Sequence, residues 1–168
     1  MSTLRPSPRA ATITRFPVAL AEGQQYSSTG RNTVAISPDG TKIVYGANQR
    51  LYLRSMWELE ARPISVTEIL GNAGTPVFSP DGLSIAFFAT ADNTLKRIGM
   101  NGGVAITICP ATGPFGISWG DDGIVFGQGG GILRVSPNGG KPEVLVPVKD
   151  GETAHGPQVL ADGEVVLF

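Results

Sequence analysis

The sequence predicts an all-β fold, namely a β-propeller or partial propeller of about three and a half four-stranded blades. The first observation is that an Asp-Gly pair recurs, and successive aspartates are 42, 41 and 40 residues apart. A period of about 40 residues filled with short strands is typical of a four-stranded propeller blade. The second is the composition, because 23 Gly and 13 Pro disfavour helices while 41% hydrophobic residues suffice for a core. The four pairs are Asp39-Gly40, Asp81-Gly82, Asp122-Gly123 and Asp162-Gly163.

Each blade is predicted to open with a hairpin closed by this Asp-Gly pair. The first two copies read AISPDGTKIVY and VFSPDGLSIAFF. Proline presets φ at the first central position of a type I turn, and glycine adopts a positive φ without a Cβ clash. Gly40 and Gly82 are therefore expected to have φ above zero. The copies at Asp122 and Asp162 lack the proline and are expected to turn similarly, through less preorganised loops.

A third and a fourth strand complete each predicted blade. The segments LYLR, LKR and ILR are predicted as third strands, and RPISV, VAITI and PEVLV as fourth strands. Asn-Gly-Gly joins the two strands in the second and third copies, and Asn-Gly is a strong hairpin signal. The first copy has SMWELEA instead, a longer link with room for one helical turn. The predicted blades are 34–66, 76–108 and 117–148, followed by a half-blade at 157–168.

The N-terminal residues are predicted to form a tail and a closing strand. Residues 1–11 read as disordered or extended, without the apolar region of a signal peptide, and no run in the sequence reaches the length of a membrane span. The chain is therefore predicted to be soluble, with its compartment left open. Residues 12–20 alternate in polarity and suit a strand that completes the half-blade at 157–168. An uncovered apolar edge recruits other strands, so we expect self-association, most simply as a homodimer, through these two segments.

The repeats resemble a known family. ISPDGTKIVY and FSPDGLSIAFF are similar to the WD-like, Pro-Asp-containing repeat of TolB-type propellers. From LYLRSMWELEARPIS to GPQVLADGEVVLF the chain is also similar to the C-terminal propeller of bacterial receptor-type Ser/Thr kinases. The resemblance implies a sensing module that is detached from, or truncated relative to, such a kinase. In those kinases the propeller lies beyond a membrane span, which makes it extracytoplasmic.

Three features that suggest catalysis are better explained as strands and turns. Residues 116–120 read G-x-S-x-G, but Ser118 precedes a strand, whereas a nucleophile elbow leads into a helix. The glycine-rich run at 127–131 is likewise followed by a strand, whereas phosphate loops use a helix N-terminus. One His and one Cys at no ligand spacing predict neither a metal site nor a cofactor. Cys109 is predicted to be a buried structural thiol.

The predicted function is non-enzymatic binding of a protein, peptide or small ligand on one face. A net charge of −1 without a basic cluster gives no reason to expect nucleic acid or a membrane surface. Loops above a rigid scaffold carry most binding sites. Here the loops 67–75, 109–115 and 149–156 share one face with 46–50, 89–94 and 127–131. The predicted site residues are His155, Phe115, Asn72, Thr75, Asn48 and Asp92. His155 is the leading candidate because imidazole can change charge near neutral pH.

Two alternatives remain open at the level of the sequence. One is an enzyme on a propeller scaffold, either a lactonase-like hydrolase or a propeller associated with a peptidase. It requires a metal or a separate catalytic domain. The other is a fragment without an independent function.

Overall fold

The fold was obtained as a computed structural model that describes residues 16–27, 32–65, 67, 71–160 and 165–168. Its regular structure consists of short β-strands, as the alternating and β-branched segments predict. The strands are β1 Val34–Ile36, β2 Lys42–Ala47, β3 Arg50–Ser55, β4 Arg62–Pro63, β5 Ala73–Phe78, β6 Ser84–Ala89, β7 Thr94–Gly99, β8 Ile106–Pro110, β9 Ile117–Gly120, β10 Gly123–Gln128, β11 Gly131–Val135, β12 Glu143–Pro147, β13 Gln158–Val159 and β14 Val166–Leu167.

These strands form three four-stranded antiparallel sheets and one two-stranded sheet. Blade 1 has the order β1-β2-β3-β4, blade 2 the order β5-β6-β7-β8 and blade 3 the order β9-β10-β11-β12, while the half-blade is β13-β14. The first strands of successive sheets lie side by side, with β1 next to β5, β5 next to β9, and β9 next to β13. This arrangement of antiparallel sheets around their first strands confirms the predicted all-β, partial-propeller fold.

The core lies between the faces of neighbouring sheets. Val44 and Leu51 of blade 1 pack with Ile85 and Phe87 of blade 2, and all four side chains are buried. Separate clusters lie between blades 2 and 3 and between blade 3 and the half-blade. Apolar residues that alternate along a strand face two neighbours in this geometry, which explains why the middle strands are buried on both faces.

Glycine lets successive blades approach closely. A Cβ atom on Gly46 of β2 would lie 3.1 Å from the carbonyl oxygen of Ala73, the first residue of blade 2. A Cβ atom on Gly127 of β10 would lie 2.7 Å from the carbonyl oxygen of Ala154, which precedes the half-blade. Both glycines therefore admit the backbone of the following blade.

The first two Asp-Gly turns have the geometry that their sequence predicts. In the first, the N–H of Gly40 donates to the carbonyl of Ser37 over 2.8 Å, and the hydroxyl of Ser37 donates to Asp39 over 2.5 Å. The second turn repeats these bonds between Ser79, Asp81 and Gly82. The two glycines have φ of +70° and +69°.

The third Asp-Gly turn differs from the prediction. Gly120 pairs directly with Gly123, so the hairpin closes over Asp121 and Asp122 alone, and Gly123 belongs to β10 with a φ of +128°. This copy lacks the serine whose hydroxyl bonds the aspartate in the other turns, and its strands pair up to the turn. The fourth pair, Asp162-Gly163, lies outside the described residues.

Other expectations also need correction. The predicted closing strand 12–20 is described only from residue 16, and residues 16–20 are not a strand; Val18 and Leu20 pack on the far face of blade 1. The link at 55–61 contains a turn, with the N–H of Glu58 bonded to the carbonyl of Ser55, and no helix. Blade 2 begins at Ala73 instead of residue 76. Over the described ranges, no helix is long and apolar enough to cross a membrane.

Candidate functional site

The segments that lead into blade 3 and the half-blade are bonded to each other. Phe115 donates its N–H to the carbonyl of Gly127 over 2.8 Å, and its own carbonyl accepts the N–H of Gly156 over 2.6 Å. Glycine is required at this crossing, because a Cβ on Gly116 would lie 2.8 Å from the Cα of Gly156. The close approach brings the side chain of Phe115 next to that of His155.

The Phe115 and His155 rings form the centre of the candidate site. Their centroids are 4.7 Å apart and their planes are tilted by 52°. The Nε2 atom of His155 is 2.7 Å from the hydroxyl of Thr153, whereas its buried Nδ1 atom has no hydrogen-bond partner among the described residues. Either tautomer leaves Nδ1 able to donate or accept one hydrogen bond. The pair therefore combines an apolar ring with one buried polar atom that lacks a partner among the described residues.

Thr75, predicted to be a loop residue of the site, instead lies within β5 and is 2% exposed. It stands in the β-bulge of β5 against β6 and has a φ of +52°. Gly116 and Gly156 also have positive φ, of +110° and +60°, although they stand just before β9 and β13 instead of inside a strand. The three residues occupy equivalent positions in successive blades. The role of Thr75 is therefore to form the backbone bulge. A bulge of this kind cannot be read from hydrophobic alternation, which explains the wrong boundary.

The other predicted site residues do not join the Phe115–His155 pair. Asn48 is used locally, because its side-chain oxygen accepts the N–H of Gln25 over 2.9 Å and its side-chain nitrogen donates to Gly23. Asp92 forms an ion pair of 2.6 Å with Lys96, and this hydrogen bond lowers the pKa of Asp92. Both side chains therefore stabilise loops of the predicted face.

Asn72 remains a second, separate candidate on this face. Its backbone N–H donates to the hydroxyl of Thr90 over 2.8 Å. Its side-chain oxygen is buried and has no partner within the part of the chain that the structure describes. Asn72 thus shares with His155 a buried polar atom left without a protein partner.

A cleft between the first strands is the feature that sequence reasoning missed. It has a volume of about 270 Å³ and extends along β1, β5, β9 and the start of β13. Its apolar wall includes Val34 and Ile36, which are 37% and 57% exposed, and Ser118 and Gln158 add polar groups. The only signal in the sequence was the unusual run of apolar residues in short first strands. The strands that line the cleft lie about one blade apart in the chain, so the cleft cannot be seen in the local sequence.

The catalytic motifs have structural roles. Ser118 lies in β9, which turns directly into β10, and its hydroxyl accepts the N–H of Val159 over 3.1 Å. Of the glycine-rich run, only Gly129 and Gly130 form the loop, since Gln128 ends β10 and Gly131 begins β11. Across the described residues, no three His, Cys, Asp or Glu side chains lie together as a potential metal site.

Comparison with known proteins gives the fold. TolB from Agrobacterium tumefaciens is similar over 74% of this chain and 52% of its own, with a TM-score of 0.60 and 18% identity. Virginiamycin B lyase from Staphylococcus aureus is similar over 77% of this chain and 45% of its own, with a TM-score of 0.61 and 17% identity. The chain has a TolB-like β-propeller fold. The resemblance of its repeats to TolB-type propellers is thereby confirmed at the level of the fold.

The propeller described here spans about half or less of the length of these relatives. For TolB from Acinetobacter baumannii the match covers 82% of this chain but 37% of the other, at a TM-score of 0.59 and 15% identity. No protein-family profile matches the sequence, and no curated protein matches it. The relation to receptor-kinase propellers stays a prediction.

Proposed function

We propose that this chain is a non-enzymatic binding module that takes a small ligand or a short peptide where Phe115 and His155 meet. The observation that carries the proposal is the buried Nδ1 atom of His155, which lacks a partner among the described residues. Buried polar atoms are nearly always hydrogen-bonded, so a ligand group at this atom would remove an unfavourable feature. The ring of Phe115 at 4.7 Å offers an apolar surface for the rest of the ligand.

The cleft between the first strands supports the same proposal. Two of its lining residues, Ile117 and Gln158, follow Phe115 and His155 closely along the chain. Within the cleft, Val34 and Ile36 present exposed apolar side chains. The lining of the cleft combines apolar side chains such as these with polar groups, and ligand sites use polar groups to orient an apolar ligand. The ligand class that fits has a hydrogen-bonding group next to an aromatic or aliphatic ring.

An enzyme on the same scaffold is the alternative. Virginiamycin B lyase is an enzyme by name, but the likeness to it is one of fold at 17% identity. The position of Ser118 on a strand, with its hydroxyl bonded to the backbone of Val159, does not favour a nucleophilic serine. Elemental analysis of the purified protein separates the two proposals, because stoichiometric zinc or calcium would favour the hydrolase.

Ligand-observed NMR with a library of small aromatic and aliphatic amides and carboxylates tests the binding proposal. We expect hits whose affinity falls about ten-fold in His155→Ala, the effect of losing one hydrogen bond and its buried contact. Phe115→Leu keeps an apolar side chain without the ring and should weaken the same hits to a smaller extent.

Leu83→Ala is the matched control for these variants. Leu83 is 66% exposed and lies in the loop of the Asp81-Gly82 turn, at the opposite end of its hairpin from the site. Its removal should leave the affinity unchanged. Hits that bind His155→Ala as tightly as the parent, or that weaken in Leu83→Ala instead, would reject the proposed site.

A further inference from the structure

Blade 1 carries a groove that the proposed function does not use. The groove has a volume of about 320 Å³ and opens on the far face of blade 1. One wall is formed by residues 19–24 and the other by residues 59–61, and Tyr45 of β2 also lines it. A volume of this size lies at the lower end of the range found for ligand pockets. The groove therefore has the dimensions of a site for a small molecule.

The segment that forms the first wall is attached to blade 1 by backbone hydrogen bonds. Ser27 donates its N–H to the carbonyl of Gly46 over 2.9 Å, and Asn48 donates its N–H to the carbonyl of Gln25 over 3.0 Å. These bonds join the segment to β2 and to the loop that follows β2. The first wall is therefore held in a defined position on the blade.

The second wall is the link between the third and fourth strands of blade 1. Asn-Gly-Gly stands in this link in blades 2 and 3, whereas blade 1 has Trp57, Glu58 and Leu59 there. The link has a defined turn, because the N–H of Glu58 donates to the carbonyl of Ser55 over 3.0 Å, and the Nε atom of Arg54 donates to the carbonyl of Glu58 over 2.9 Å. Leu59 lines the groove and is 93% exposed. A ligand that covers this side chain removes apolar surface from water.

Tyr45 brings a hydroxyl group to a position that is apolar in the other blades. The fourth residue of the second strand is Tyr45 in blade 1, Phe87 in blade 2 and Phe126 in blade 3, and all three rings are buried. The hydroxyl of Tyr45 donates to the Oε1 atom of Gln24 over 3.4 Å, whereas hydroxyl donors are usually about 2.7–2.8 Å from their acceptors. This bond is therefore weak, and the phenolic oxygen is still able to accept a hydrogen bond.

The polar part of the lining consists of hydrogen-bond acceptors and carries a negative charge. Its polar side chains are those of Gln24, Tyr45 and Glu60. Glu60 is the one charged residue of the lining, and an ionised carboxylate only accepts hydrogen bonds. Among the described residues, no lysine or arginine forms an ion pair with Glu60. The groove is therefore suited to a ligand that supplies a cation with N–H groups.

We propose that the groove on blade 1 binds a small organic ammonium ion. The ammonium group pairs with the carboxylate of Glu60, and the hydrocarbon part of the ligand lies against Leu20 and Leu59. The other apolar lining residues, at 19, 21 and 61, are alanines, which leave room for an aromatic or branched aliphatic chain. Because Glu60 is exposed, water and salt screen its ion pair, and most of the affinity comes from the apolar contact. This site is separate from the one proposed at Phe115 and His155.

Amide-resolved NMR of the full chain, titrated with phenethylammonium chloride, tests the site. We expect saturable shifts in residues 19–24 and 59–61. Phenethyl alcohol has the same ring without the charge and should bind about two- to five-fold more weakly, the usual effect of an exposed ion pair. Phenylpropionate carries the opposite charge and should bind more weakly than the alcohol. Shifts that do not saturate, that lie in other segments alone, or that are equal for the three compounds would overturn the proposal.

Two variants of the same link separate the charge at the groove from the charge beside it. Glu60→Gln should weaken phenethylammonium about two- to five-fold and remove its advantage over phenethyl alcohol. Glu58→Gln is the matched control, because it removes the same charge from the link at a residue outside the lining, and it should keep that advantage. His155→Ala should bind phenethylammonium as the parent does, which distinguishes this groove from the site at Phe115. An advantage that survives in Glu60→Gln, or binding that is lost in His155→Ala, would reject the groove as the site.

Discussion

At the scale of single residues, one carboxylate organises each of the first two hairpin turns. Asp39 accepts hydrogen bonds from the hydroxyl of Ser37 over 2.5 Å and from the N–H of Thr41 over 3.0 Å. The first of these is the main reason that the pKa of Asp39 lies well below its ordinary value of 3.8. The hydroxyl of Ser79 lowers the pKa of Asp81 in the same way. The ionised form of each carboxylate is therefore stabilised in the folded state.

Acid should weaken the protein through these turns. Because the folded pKa of each aspartate lies below its ordinary value of 3.8, their stabilisation is complete above about pH 5 and is lost as the pH falls through 3.8 toward the folded pKa. We expect urea midpoints to drop between pH 7 and pH 3. The double variant Asp39→Asn with Asp81→Asn should start lower at pH 7 and lose less.

Asp121→Asn is the control for the acid experiment, since the third turn has no serine two residues before either of its aspartates. This variant should follow the parent at both pH values. A double variant that loses as much stability in acid as the parent would show that other carboxylates carry the effect.

At the scale of elements, the contact between blades depends on a missing side chain. A Cβ on Gly127 would lie 2.7 Å from the carbonyl oxygen of Ala154 and 3.3 Å from the Cβ of Phe115. The first of these neighbours is backbone and cannot move without shifting the half-blade. The fit of β10 against the next segment therefore has no room for a methyl group.

Gly127→Ala should lower the free energy of unfolding by about 1–3 kcal/mol, the usual range for overpacking a tight contact. Equilibrium urea denaturation measures the effect. Gly129→Ala is the matched control two residues away, because a Cβ there meets no atom within 4 Å and the backbone has no positive φ. Equal stabilities of the two variants would contradict the tight approach of the blades.

The turns could be predicted from the sequence, whereas the bulge and the contacts between blades could not. The hairpins were predictable because Ser, Asp and Gly act within a few residues, as at Asp39 and Asp81. The start of blade 2 was not, since the bulge at Thr75 breaks the alternation that marks a strand. Of the six predicted site residues, only Phe115 and His155 meet, because their contact depends on backbone bonds between two different blades.

At the scale of the whole molecule, the single thiol reports on the contact between blades 2 and 3. Cys109 is 2% exposed and belongs to the cluster that joins these blades, together with Leu95 and Phe126. Burial alone raises its pKa to about 11, so the thiol is protonated at pH 8. Only opening of this contact exposes a reactive thiolate.

We expect Cys109 to react with an aromatic disulfide reagent at pH 8 at least about a hundred-fold more slowly in the native protein than in urea. Absorbance of the released thiolate measures the rate. Leu95→Ala creates a cavity in the cluster and should speed the native reaction, whereas Val104→Ala at an exposed site should not. Rapid labelling of the native parent would mean that blades 2 and 3 separate readily.

The division of the core into clusters between successive sheets affects how the protein tolerates the gain or loss of a blade. Among the described buried residues, the clusters between blades join two neighbouring sheets each, as Val44 joins Ile85 and Phe88 joins Phe126. A change in one blade is felt by the blades beside it and fades beyond them. Such a gene can gain or lose a repeat by unequal recombination while the remaining repeats keep their contacts. An added or deleted blade should therefore disturb only the contacts beside it, whereas a change in the buried residues of one blade alters its fit to both neighbours.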